Sequence, residues 1–171
     1  MNAEELRTLQ APLKHRYRED PASALVTLRA EGALGSETIA CKVGTGKGVV
    51  EAGLHQATGG DGLSACSGDM LLEALVACAG VTLKAVATAL GLTVRGGTVK
   101  AEGDLDFRGT LGVNRDAQVG FKEIRLGFEL DTNASEEQLA TLLKLTERYC
   151  VVYQTLQHAP VLHASLAAVK G

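Results

Sequence analysis

The sequence predicts an α+β domain of mostly antiparallel strands, in the order three strands, helix, two strands, helix, strand (βββ-α-ββ-α-β). Three observations predict it. Residues 24–30 and 124–130 alternate apolar and polar side chains, the period of half-buried strands. Residues 70–90 form an apolar run between a helix start and a helix stop. Ser135-Glu136-Glu137-Gln138 is a capping box, and the apolar residues after it recur at spacings of three and four. Strands and helices come in blocks, which argues against the one-by-one alternation of parallel βαβ units.

Taken in order, residues 1–20 are polar and charged. They read as an N-terminal extension, a surface helix or arm ended by Pro21. Residues 21–171 read as a single domain. A strand over 24–30, a turn over 32–35 and a strand over 37–43 make a hairpin. The glycine-rich stretch 44–48 is a turn, because it lacks the Lys-Ser/Thr ending of a phosphate loop. A third strand over 49–54 and a loop over 58–62 lead to the central helix. There Ser67 is placed to accept orphan backbone N–H groups, and Asp69 suits the positive helix end. Gly91 suits the left-handed conformation that ends a helix. Strands over 93–107 and 118–130 follow, the second alternating through Ile124, Leu126, Phe128 and Leu130. The last helix runs to about residue 157 with Cys150 on its apolar stripe, and Pro160 introduces a final strand over 161–169.

Composition narrows the function. Of the 171 residues 46% are hydrophobic but only 4% aromatic, with no Trp, so Leu, Val and Ala build the core. A net charge of −3 gives no electrostatic reason to expect nucleic acid or an anionic membrane as partner. The first residues lack a basic start and an apolar core, so a cytoplasmic location is expected. Glu73 and Lys84 interrupt the apolar run, which argues against a membrane span. A helix this apolar needs more cover than one small sheet supplies, so an intimate homodimer is expected.

Cysteine is the nucleophile class with a suggestive setting. The sequence has no G-x-S-x-G, no H-E-x-x-H and no dinucleotide fingerprint opening a helix. The four histidines are scattered, and no metal or other cofactor is expected. The four cysteines lie far apart with no C-x-x-C pair. Any disulfide is then chemical rather than structural. On its own, Cys78 reads as a small buried hydrophobe. A reactive thiol at that position requires a nearby cation or hydrogen-bond donor.

Two stretches carry a resemblance. Asp69-Met70-Leu71-Leu72-Glu73-Ala74-Leu75-Val76-Ala77-Cys78-Ala79-Gly80-Val81-Thr82-Leu83 resembles the central helix of the OsmC/Ohr family. Glu147-Arg148-Tyr149-Cys150-Val151-Val152-Tyr153-Gln154-Thr155-Leu156 is similar to its second cysteine motif. The resemblance covers roughly residues 24–169. It implies an OsmC-like fold, antiparallel sheets wrapped around long central helices in an intertwined homodimer. It also implies a thiol-dependent peroxidase. Cys78 attacks an organic hydroperoxide, Cys150 resolves the product as a disulfide, and a dithiol, of lipoyl type in part of the family, restores both. Cys41 and Cys66 match no family thiol and read as structural.

The family also places an arginine beside the thiolate and a carboxylate to orient it. Asp69 matches the acidic position and equally suits a helix start. At about 100° per residue it lies opposite Cys78, so it acts through a neighbour or the partner chain. For the cation the candidates are Arg29 on the first strand and His55 near the third, with Arg16 and Arg18 in the extension. Val151 replaces the usual Pro after the second cysteine, so the helix is expected to continue through Cys150. That continuation would remove a helix N-terminus able to lower the pKa of Cys150. The competing function is a binding module of the same dimeric fold, holding a small apolar or electrophilic ligand.

Overall fold

The computed structural model describes residues 3–34, 41–43, 52–63 and 65–167. The expected turn over 44–48 and the strand residues 37–40, 49–51 and 168–169 lie outside the described residues. Helix α1 (Ala3–Glu19) and a 3-10 turn (Pro21–Ala24) precede β1 (Leu25–Leu34) and β2 (Cys41–Val43). The two-residue strands β3 (Ala52–Gly53) and β4 (Ala65–Cys66) enclose a second 3-10 turn, Gln56–Thr58. Next come α2 (Ser67–Ala89), β5 (Val94–Asp106), the single turn α3 (Phe107–Thr110) and β6 (Phe121–Thr132). Two helices, α4 (Glu136–Tyr149) and α5 (Val151–Gln157), close the described order.

The sheet runs β2-β1-β5-β6, antiparallel throughout. Its inner face is apolar: Val99 and Ala101 of β5 are fully buried, and Ile124, Leu126, Phe128 and Leu130 of β6 pack on the same core. Its outer face carries ion pairs, Arg125 with Asp104, Glu102 and Glu123, and Arg95 with Asp131. That division is the expected pattern of an antiparallel sheet with one face in solvent. At the start of β5 the register shifts, and a Cβ on Gly97 would fall 2.2 Å from the Glu129 carbonyl oxygen. Only glycine lets the two strands approach so closely there.

Helix α2 lies across the inner face. Leu72, Leu75, Val76, Ala79, Leu83 and Ala87 are at most 2% exposed. By length and composition α2 could cross a membrane, yet these residues are covered by the sheet and by Leu142 of α4, as in a core helix. Its end follows the sequence: Gly91 takes φ 67°, Gly91 N–H donates to Thr88 O and Leu92 N–H to Ala87 O. Those two bonds are the Schellman arrangement. Lys84, 7% exposed, donates from Nζ to Val94 O at 2.9 Å and ties α2 to the start of β5. Ser135 and Gln138 form the expected capping box at the head of α4.

Four expectations are corrected. The first strand is longer than the alternation suggested, so Gly32 lies inside β1 opposite Val43 and not in a turn. Ser67 is not the cap of α2. Parallel pairing of β3 with β4 keeps the chain extended through Cys66, which becomes the N-cap without a side-chain bond. The extension is more than a surface arm, because Tyr17 of α1 is fully buried and its hydroxyl donates to Ala57 O at 2.6 Å. Residues 161–167 form no strand, and Val161, Leu162 and Leu166 are 82–101% exposed. The local pattern is strand-like, but a strand forms only where a neighbour completes its hydrogen bonds.

Candidate active site

Where the sequence predicts one helix through Cys150, the chain breaks. Cys150 takes φ −73° and ψ 109°, serving at once as the last cap of α4 and the first of α5. Its N–H still donates to Thr146 O, and its carbonyl already accepts from Gln154 N–H, both at 2.9 Å. The Gln154 side chain reaches back and donates from Nε2 to Glu147 O at 2.9 Å. Tyr153 hydrogen-bonds the Glu147 carboxylate. Consecutive β-branched residues, Val151 and Val152, add little helix propensity across the junction.

The break brings Cys150 to Cys78. Cys66, Cys78 and Cys150 are free thiols; Cys150 is fully buried and Cys78 half-buried. Burial pushes the Cys78 thiol up, but four donors outweigh it: Val152 N–H, the Cys150 thiol, Val151 N–H and the Thr82 hydroxyl. The net result is a thiol held below its ordinary value. Cys150 moves the other way. Burial raises it, the Tyr153 N–H at 3.5 Å opposes that, and the Cys78 sulfur raises it further, to about 11. Of the two thiols, which act on each other, Cys78 ionises first and Cys150 keeps its proton.

The other predicted residues gather elsewhere. Burial raises the Asp69 carboxyl above its ordinary value, and His55 partly opposes that. His55 stacks on Phe107 with ring centroids 5.0 Å apart and accepts the Ala57 N–H on Nδ1 at 3.0 Å, which leaves Nε2 to carry the ring proton. Phe107 is set by Asp106, the cap of α3, whose buried carboxylate takes the Arg108 guanidinium fork. None of the donors acting on Cys78 is Asp69 or His55. The backbone of Arg29 lies in β1 opposite Glu102, and its side chain lies outside the described residues. Arg16 donates to the Tyr17 hydroxyl at 3.4 Å and stacks over that ring.

The family model of OsmC-like protein matches residues 59–165, more than half of the chain and both cysteines. The chain belongs to the OsmC-like family. No match is found among curated proteins. An OsmC-like hydroperoxide resistance protein from Jannaschia sp. CCS1 is similar in structure, with TM-score 0.58 and 18% identity over 85% of this chain and 95% of that one. An OsmC-like protein from Mycoplasma pneumoniae is similar with TM-score 0.54 and 19% identity over 75% of this chain and 86% of that one. At such identities the likeness is one of fold.

Against that family frame, sequence reasoning missed the donors that serve Cys78. Thr82 was findable, since a hydroxyl four residues on shares a helix face with the thiol. The amides of Val151 and Val152 were not, because a continuous helix would have spent them on its own carbonyls.

Proposed function

We propose that this OsmC-like chain reduces organic hydroperoxides with Cys78 as attacking thiolate and Cys150 as resolving thiol. One observation carries the reading: two free thiols in one core that shift each other's proton affinity in opposite directions. The Cys78 thiolate attacks the O–O bond, becomes a sulfenic acid, and the alkoxide leaves as alcohol after taking a proton. The Cys150 thiol then condenses with the sulfenic acid, releasing water and forming the disulfide. An external dithiol, such as a lipoyl group, reduces that disulfide and regains both thiols. Asp69 and His55 lie away from Cys78 within the chain, so a part for them in this chemistry runs through the second chain of a homodimer. An exposed stripe on α2, from Met70 and Leu71 to Val81, supports such a dimer by offering it an apolar face.

A second reading, the binding module, draws on a cavity of about 560 Å³ between α2, β6 and the α4–α5 pair. Leu71, Leu75, Ile124 and Phe128 line its apolar side, and its size suits a small ligand. One experiment separates the two. Reduced protein is mixed with cumene hydroperoxide and a dithiol, and peroxide loss is followed for wild type and Cys78→Ser. Peroxidase chemistry requires loss with wild type and only background with the variant; equal rates sink it. Mass spectrometry after one equivalent of oxidant is expected to find the 78–150 disulfide.

A further inference from the structure

We propose that Gln154 is the positioning residue of the thiol pair, holding the chain broken at Cys150 by occupying the Glu147 carbonyl. In an uninterrupted helix each N–H donates to the carbonyl four residues earlier. The Val151 N–H would therefore take Glu147 O. Here Gln154 Nε2 takes that acceptor instead, at 2.9 Å. With that acceptor taken at the head of α5, the Val151 and Val152 amides are left to favour the Cys78 thiolate. The same side chain also meets Gln157 Oε1 at 3.4 Å, and the Gln154 N–H closes the first turn of α5 on Cys150 O. A side-chain amide so does the work of a proline ring, which would end α4 by having no N–H to give.

The inference rests on Cys78 and Cys150 acting as a pair, and it is tested on the thiols rather than on turnover. The variants are Gln154→Met, Val151→Pro and the double variant. Proline suits the first position of α5, Cys150 already has the extended backbone that a following proline requires, and Val151 is 71% exposed. The readout is the pH dependence of iodoacetamide alkylation at Cys78, resolved by mass spectrometry, beside a melting curve.

Gln154→Met is expected to move the Cys78 profile to higher pH and to slow alkylation at neutral pH about three- to ten-fold, the range of one hydrogen bond. The double variant is expected to match Val151→Pro alone, because the ring keeps the break without Gln154. Both lack the Val151 N–H and so share a profile somewhat above wild type. An unchanged profile in folded Gln154→Met overturns the proposal. So does a double variant that regains melting temperature but not the profile of Val151→Pro. If Gln154→Met does not fold, the double variant decides against Val151→Pro: equal profiles support the clamp, and a double variant shifted above Val151→Pro overturns it. Failure of wild type to consume peroxide would remove the peroxidase reading and leave this measurement standing.

Discussion

At Cys78 two effects oppose each other, and their balance decides its chemistry. Burial disfavours the thiolate, while the Val152 amide, the Cys150 thiol, the Val151 amide and the Thr82 hydroxyl favour it and win. The sign follows for pH. With a lowered pKa, Cys78 is expected to react with iodoacetamide below the range of an ordinary thiol, and Cys150 only as the pH nears about 11. Removing a donor weakens the thiolate, so Thr82→Val is expected to shift the Cys78 profile upward and slow neutral-pH alkylation about three-fold, leaving Cys150 buried. An unchanged profile would mean that the hydroxyl serves a helix carbonyl instead.

Among the elements, α1 is held by one deeply placed side chain. Tyr17 packs with Ala24, Phe107 and Leu111, and its hydroxyl satisfies Ala57 O. Tyr17→Phe is expected to cost about 1 kcal/mol, and Tyr17→Ala about 3–5 kcal/mol for the ring and its cavity, read from chemical denaturation. Legibility in sequence divided along the same line. The end of α2 at Gly91, the capping box of Ser135 and Gln138, and the alternation from Ile124 were readable because each is a contact between near neighbours in the chain. Tyr17 was not, since its partners come from residues 24, 57, 107 and 111 and the helix around it is polar. The break at Cys150 was hidden for another reason. The apolar stripe of α4 continues in register past it, and the bond that enforces it joins a side chain to a carbonyl seven residues away. The two thiols were legible as a pair by resemblance, but their unequal proton affinities belong to the bend between α4 and α5.

For the whole molecule, the apolar face of α2 and the exposed residues 161–167 call for a common explanation. Val81 is 40% exposed on the same helix as Met70 and Leu71, and Leu166 stands fully in solvent. A second copy laid against α2 would cover the first and offer strand partners to the second. Scattering or sedimentation is expected to give twice the chain mass of 17.8 kDa. Val81→Glu, a change that one chain alone tolerates at a half-open position, is expected to shift the population toward monomer. A monomeric wild type would sink the dimer and with it any part for Asp69 or His55 at the thiols.

The small cluster around Tyr17 has a consequence for how the molecule opens. Among the described residues it shares only Val26 and Leu105 with the larger core that holds the thiols. Two cores so thinly joined make two cooperative units of different depth. Amide hydrogens of α1 and of residues 55–58 are expected to exchange with solvent deuterium well before those of α2 and β5. The His55 loop can thus come loose and reseat while the sulfur pair stays packed.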